Sequence, residues 1–329
     1  MKRTIAIIAG GDSSEHDVSM RSAQGILSFI NKDKYNCYIV EIKATSWQAL
    51  LPDGSHSEVD RNDFSFATPQ GTIKPDYAYI TIHGKPGENG VLQGYLDLIK
   101  MPYSTGGVLV EALTFNKFTL NNYLKSWGIK VADSILMRHN QISSYNEEEI
   151  INRLGLPCFV KPNADGSSFG VTKVKEASQL SSAIQAAFKE DNEVMIESFL
   201  NGTEITCGCY KTKTECRVLP ITEVVTDQEF FDYDAKYNGK VEEITPARIA
   251  PATAKRVSQL TSTIYDILGC NGIIRIDYIL SGEPGNETIT MLEVNTTPGM
   301  TATSFIPQQI KAAGLDIGEV LSQIIENSF

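Results

Sequence analysis

Short apolar blocks punctuated by glycines organise the N-terminal part of the chain. Thr4–Ala9 is one such block. It ends in Gly10-Gly11, after which Val18, Ile26, Leu27 and Ile30 recur at near-helical spacing before another apolar block, Tyr38–Ile42. Strand, glycine turn, helix and strand in that order form a βαβ unit, which predicts a parallel sheet. Ser14 and Asp17 have the spacing of a capping box at the helix start. Residues 52–75 are rich in Pro, Gly, Ser and Asp and read as an irregular connection. Tyr77–Ile82 is the next strand, followed by the glycine-rich His83–Gly90, a helix over Val91–Ile99, and turn chemistry at Pro102–Gly107 that marks a boundary between units.

Beyond that boundary the pattern predicts helices over Asn116–Trp127 and Glu147–Leu154, stopped by Gly128 and Gly155. A strand then runs into Lys161, and a further helix spans Ala177–Phe188 with Leu180, Ala183, Ile184, Ala187 and Phe188 at core spacing. Glu193–Glu197 reads as a strand. After Gly202, Thr203–Tyr210 and Cys216–Thr222 alternate apolar and polar residues, which predicts an antiparallel sheet. Residues 228–240 carry four aromatics and five charges with no period, the mark of a functional loop. A helix over Pro251–Leu268 stops at Gly269, and helices near Phe305–Ala313 and Ile317–Ile325 close the chain. There are no internal repeats or low-complexity tracts.

The chemistry concentrates between Asn271 and Ser304. Two strands, Gly272–Leu280 and Thr288–Val294, flank a turn rich in Gly, Pro and Asn. Folding about Gly285 puts Arg275 opposite Asn295 and Asp277 opposite Glu293, so four polar side chains share one face. Ile274, Ile276 and Tyr278 point the other way. Two facing carboxylates repel unless a cation lies between them. Oxygen ligands from Asp277, Glu293 and Asn295 suit Mg2+ with phosphate oxygens; the alternative is a solvated face paired internally by Arg275.

Other candidates follow the same logic. Lys161 sits in a buried-looking strand, where its charge needs a partner. It precedes the loop Gly166–Gly170, whose amides can approach phosphate, although the same loop serves equally as a plain hairpin turn. No Walker A pattern is present. Glu197 and Glu204 bracket a glycine hinge, either as two surface acids or as an adenosine clamp. Glu15, His16 and His83 lie past the carboxyl ends of strands, where ligands of parallel sheets sit. Lys236 and Tyr237 stand out in the aromatic-rich loop.

Composition narrows the class. A chain of 329 residues has room for two or three domains, and its net charge of −11 argues against a general nucleic-acid or anionic-membrane binder. No apolar run is long enough for a membrane span, and the first strand begins without a signal-peptide pattern, so a cytoplasmic protein is expected. The six cysteines form no CxxC pair, which favours reduced thiols; a Cys207–Cys216 disulfide is the alternative.

Six segments carry a resemblance. They are Gly10–Ser19, His83–Gly90, Val160–Gly170, Tyr233–Tyr237, Gly272–Asp277 and Leu292–Thr301. In this order and spacing the chain resembles the D-alanine–D-alanine ligases of the ATP-grasp superfamily along essentially its whole length. The resemblance implies an α/β fold, α+β in its nucleotide-binding part. It also implies three domains: 1–106 for substrate, 107–201 as the small ATP-grasp domain, and 202–329 with the metal and oxyanion site. By that resemblance Lys117, Lys161, Ser168 and Lys236 contact ATP phosphates, while Glu197, Phe199, Leu200 and Glu204 cradle adenosine. Asp277, Glu293 and Asn295 bind two Mg2+ or Mn2+ ions.

Glu15 and His83 face the first D-alanine, and Ser304 and Phe305 the second. Arg275 and the Gly299 N–H form the oxyanion site, and Ser167 and Tyr237 link the closing loop to Glu15. The implied reaction makes D-alanyl-D-alanine for peptidoglycan through an acyl phosphate, in a cytoplasmic homodimer. The rivals are another carboxylate–amine or D-alanyl-D-lactate ligase, and a catalytically silent nucleotide-binding regulator. Three positions bear on specificity: Phe305 where a smaller aliphatic is common, Ser198 where a basic residue is expected, and Tyr237, which resembles dipeptide-forming members.

Overall fold

The computed structural model describes residues 2–140, 145–164, 170–226 and 241–329. Strand β1 (Arg3–Gly10) leads into helix α1 (His16–Phe29) and strand β2 (Tyr35–Lys43), and β1 and β2 pair in parallel as the βαβ pattern requires. The helix does not use the expected capping box. Glu15 is the N-cap and makes no side-chain cap; Ser13 Oγ instead accepts the Glu15 N–H and donates to His83 O.

Residues 52–75 depart from expectation. After β3 (Ser46–Leu50) they form β4 (His56–Asp60), β5 (Ser65–Thr68) and β6 (Gly71–Ile73), all antiparallel. These strands are too short and too polar at their outer faces to show a period of two. With β7 (Tyr77–Ile80) they make, among the described residues, a mixed seven-stranded sheet in the order β6-β5-β4-β3-β2-β1-β7. The first unit is therefore parallel only at β2-β1-β7, and α2 (Val91–Leu98) follows it.

The predicted helix over 116–127 proves to be the second of a pair, α3 (Val108–Phe115) and α4 (Lys117–Ser126). Asn116 caps α4 by accepting the Thr119 N–H. Strand β8 (Ser134–Arg138), helix α5 (Glu147–Leu154), strands β9 (Cys158–Pro162) and β10 (Thr172–Val174), helix α6 (Leu180–Ala187) and strand β11 (Glu193–Ser198) follow. Their sheet is antiparallel, ordered β10-β9-β11-β8, and α5 and α6 bury Ile150, Leu154, Leu180 and Ile184 against it.

Strands β12 (Thr203–Lys211), β13 (Cys216–Val218), β14 (Thr222–Thr226), β15 (Val241–Ile244), β16 (Ile273–Ser281) and β17 (Thr288–Asn295) build the last sheet. Its order is β15-β14-β12-β16-β17, with β13 paired to β12. Helix α7 (Pro251–Leu268) begins with proline at its first turn and ends on Gly269 in the left-handed conformation, as its sequence signals require. In the β12–β13 ladder Cys216 faces Lys211, while Cys207 pairs with Ile276 on β16; all six cysteines are free thiols.

Two packing relationships cross the units. Leu120, Leu124 and Ile129 belong to the core of the last sheet with Ile205, Val257 and Tyr278, although they precede the central sheet in the chain. Helices α8 (Phe305–Ala312) and α9 (Ile317–Glu326) return to the first sheet, burying Ile306, Leu321 and Ile325 beside Ile5, Ile7 and Ala23. Each fully buried aliphatic side chain contributes about 1.5–3 kcal/mol, so this return anchors the C-terminus firmly.

Candidate active site

The hairpin folds in the expected register. Arg275 faces Asn295 and Asp277 faces Glu293, and beyond them a bulge between Asp277 and Tyr278 brings Tyr278 opposite Met291. Bulges redirect side chains beside functional sites. Tyr278 turns inward, where its hydroxyl meets Thr261 Oγ1 at 2.8 Å. On the other face Arg275 grips Asp277 through Nε and Nη2, each 2.9 Å from a carboxylate oxygen, and Glu293 Oε1 is 4.0 Å from Nη2. Asn295 Nδ2 donates to Asp277 Oδ2 at 3.1 Å and to Glu293 Oε1 at 3.4 Å. Burial opposes the Arg275 charge, but the Asp277 carboxylate more than offsets this and holds its proton affinity above the usual range. The four residues thus form one mutually paired cluster, with Asp277 buried and the other three partly exposed, rather than a fully solvated face.

The cluster opens into a cavity of about 990 Å³ lined by the second and third sheets and, from the first unit, by α1 and the segment after β7. At one end of it, Lys161 Nζ is 2.5 Å from Glu197 Oε1, with Glu197 buried and Lys161 nearly so. This is the partner that the strand lysine needed. The two residues sit on neighbouring strands, with Lys161 opposite Met195 and Glu197 opposite Phe159. Phe159 and Phe199 lie with ring centroids 6.1 Å apart, and Lys173 Nζ covers the Phe199 ring at 4.1 Å. Lys117, Leu200 and Glu204 line the same side. Lys117 opens α4, and its N–H donates to Asn163 O, tying that helix to the strand that carries Lys161.

At the opposite end stand Glu15, Ser22, His83 and Glu88. His83 Nε2 is 3.4 Å from Ser22 Oγ; burial lowers its pKa, with Glu15 pulling it up and Arg275 pushing it down. Its neutral imidazole therefore fits a wall of the cavity rather than a fixed cation. Gly299 lies beside Ser304, whose Oγ accepts the Thr301 N–H at 3.1 Å. The Arg275 guanidinium is 5.2 Å from the centre of the Phe305 ring, so Phe305 covers the arginine besides lining the cavity.

The turn that holds these groups is pressed against α1. A Cβ at Gly25 would stand 2.2 Å from Met300 O, which explains a glycine inside a helix. Gly272, with positive φ, passes Ser104 so closely that a Cβ would fall 1.8 Å from its carbonyl oxygen. Ser167, Ser168, Lys236 and Tyr237 lie outside the described residues.

Sequence reasoning passed over Glu88. It is enclosed between Thr297 Oγ1, which donates to Oε1 at 2.7 Å, and the Gly84 N–H, which donates to Oε2 at 2.7 Å. Burial first, then Glu15, pushes its pKa up to about 7. Its place inside the glycine-rich His83–Gly90 segment was the available signal.

The donor chemistry suits a divalent cation that shares its shell with phosphate. Asp277 and Glu293 offer carboxylate oxygens and Asn295 an amide oxygen, and among the described residues no three His, Cys, Asp or Glu side chains form a closed metal site. Mg2+ is held this way, by one or two carboxylates with phosphates and water completing the octahedron.

Two α+β units closing on a cavity with a buried lysine–glutamate pair and a carboxylate–arginine cluster, joined to an α/β unit, define the ATP-grasp class of ATP-dependent ligases. Family models described as D-ala D-ala ligase N-terminus and C-terminus match residues 4–106 and 123–326. A D-alanine–D-alanine ligase of Phocaeicola vulgatus is 62% identical over 329 residues, covering both chains completely. The crystal structure of the VanG D-Ala:D-Ser ligase from Enterococcus faecalis superposes with a TM-score of 0.87 at 32% identity, covering 100% of each chain. The Bacillus anthracis D-alanine–D-alanine ligase complexed with ATP has a TM-score of 0.76 at 27% identity, covering 99% of this chain and 96% of that one. The chain belongs to the D-alanine–D-alanine ligase family.

Proposed function

We infer that the protein joins two D-alanines into D-alanyl-D-alanine, coupled to ATP cleavage through a D-alanyl phosphate, and so supplies a peptidoglycan precursor in the cytoplasm. One observation carries the reading: a single cavity presents Lys161 and Glu197, then the Arg275–Asp277–Glu293–Asn295 cluster, then Glu15, His83 and Ser304.

That sequence of groups matches what the reaction needs. A carboxylate is a poor electrophile until it is phosphorylated. Glu197, Phe199, Leu200 and Glu204 seat the adenosine, and Lys117 and Lys161, with Ser168 and Lys236, meet the phosphates. Asp277, Glu293 and Asn295 would hold Mg2+ or Mn2+, two ions by the family pattern, which neutralise charge on the transferring phosphoryl group. Glu15 takes the ammonium of the first D-alanine, with His83 as its wall. Ser304 and Phe305 receive the second D-alanine, Ser304 by its carboxylate. Arg275 and the Gly299 N–H stabilise the tetrahedral oxyanion. Ser167 and Tyr237 join Glu15 in closing the site, because an acyl phosphate survives only where water is excluded.

The decisive experiment incubates the protein with ATP and Mg2+, adding D-alanine, D-serine, D-lactate or L-alanine. Phosphate release should depend on D-alanine and yield the dipeptide. Release equally fast without an amino acid would sink the ligase reading, and a preference for D-serine or D-lactate would reassign the second site.

We further propose the division 1–106, 107–201 and 202–329, with residues 108–131 packed on the third unit. A homodimer is proposed through α2 and α3, where Val91, Leu98 and Leu109 are exposed by 62%, 84% and 77% on neighbouring helices. Sedimentation of wild type and Leu98→Glu tests it; two monomers would overturn it. Among the described residues no helix is long and apolar enough to cross a membrane.

A further inference from the structure

Helix α3 carries Glu111 into the interior with no exposure, and none of the reaction steps above uses it. Its Oε2 accepts the Thr296 hydroxyl at 2.6 Å. Its Oε1 has no hydrogen-bond partner among the described residues and faces Gly106, where a Cβ would come within 3.0 Å of it. A carboxylate buried with no neighbouring cation is strongly disfavoured, so this carboxyl is held neutral. Burial raises its proton affinity well above the usual range, and the nearby Glu88 adds to the effect.

Thr296 is not an arbitrary partner. It is itself buried, directly follows Asn295, and opens the turn that reaches Gly299. The next residue is tied in the same way, since Thr297 Oγ1 donates to Glu88 Oε1 at 2.7 Å. Two adjacent threonines are therefore fastened by two enclosed acids, one from the glycine-rich segment after β7 and one from α3. At one end of the turn Asn295 bonds to Asp277 and Glu293; at the other Gly299 lies beside Ser304.

We propose that Glu111 is a positioning residue for the Asn295–Gly299 turn, holding Thr296 so that the metal-binding amide and the oxyanion N–H stay in register with β16. The proposal rests on the ligase reading for its consequence, but the restraint itself is a property of the ligand-free chain. Glu111 touches neither substrate nor metal. It acts through one neutral hydrogen bond at the turn's first residue.

The test compares Glu111→Leu, Glu111→Gln and Thr296→Val with wild type in the full-length protein. Three quantities are read: hydrogen exchange of the 295–299 amides without ligand, Mn2+ binding in the presence of AMP-PNP by electron paramagnetic resonance, and kcat against KM for ATP. Glu111→Leu and Thr296→Val should each speed exchange in the turn and weaken Mn2+ binding about ten-fold. Each should lower kcat by a similar factor and leave KM for ATP unchanged. Glu111→Gln, neutral and still able to bond Thr296, should restore all three to within about two-fold.

If Glu111→Leu fails to fold, Thr296→Val removes the same bond from its small partner and decides the question. Unchanged exchange and Mn2+ binding in Thr296→Val would overturn the proposal, as would a Glu111→Gln variant as impaired as Glu111→Leu. A wild-type protein without D-alanine-dependent phosphate release would refute the ligase reading instead, while the exchange comparison would still judge the restraint.

Discussion

Arg275 and Asp277 stand two residues apart on one face of β16, and the guanidinium holds the carboxylate with two bonds of 2.9 Å. The residue assigned to the oxyanion is thus engaged by a residue assigned to the metal. With Glu293 4.0 Å away, Arg275 places a cation beside two facing carboxylates.

Replacing Arg275 by Met should therefore have two effects. The kcat for dipeptide formation should fall about 100–1000-fold, the usual loss for an oxyanion donor. The ligand-free protein should also lose thermal stability that Mg2+ with ATP restores, because Asp277 loses its guanidinium partner. A variant with normal turnover would remove Arg275 from the oxyanion site.

Breaking the Lys161–Glu197 pair leaves an enclosed charge uncompensated. Lys161→Ala should destabilise the ligand-free protein by roughly 3–5 kcal/mol in a denaturant melt and raise KM for ATP. Equal stability would mean that the pair only balances its own desolvation.

Glu88 sets a pH signature. Its folded pKa of about 7 lies above the ordinary 4.5, so its stabilising contribution is complete below about pH 4.5 and lost as pH rises through about 7. Ligand-free wild type should therefore lose stability relative to Glu88→Gln across that window, and the two should run parallel above it. A difference that is constant from pH 4.5 to 7 would place the Glu88 pKa elsewhere.

Gly25→Ala should cost about 1–3 kcal/mol by overpacking, since its Cβ would meet Met300 O at 2.2 Å. The displaced segment adjoins Gly299, so kcat should fall as well. Ala at Gly94, a helical glycine of α2 whose Cβ would meet nothing closer than 3.7 Å, is the control; Gly25→Ala behaving like that control would show that the contact is slack.

Much of this was legible in the sequence where the cause is local. The hairpin register followed from a period of two and a turn centred on Gly285, and it placed Arg275, Asp277, Glu293 and Asn295 on one face. Helix α7 announced both of its ends, with Pro251 at the start and Gly269 at the stop. The strands within 52–75 were missed because β4, β5 and β6 are only three to five residues long and lack a clean alternation. The box at Ser14 and Asp17 failed because the helix starts one residue later, with Glu15 at its N-cap.

The sequence by itself determined which side chains share a strand face, where helices stop, and that Lys161 needed a counter-charge. Those are consequences of backbone periodicity and of the cost of burying a charge, and both act within a few residues. Only the tertiary structure decided that the counter-charge is Glu197, that Arg275 is held by Asp277, that α8 and α9 return to the first sheet, and that Glu88 and Glu111 fasten Thr297 and Thr296. The reason is distance along the chain: Thr296 and Glu111 are 185 residues apart in sequence. No local pattern ties such a pair, and the units must pack before it can meet.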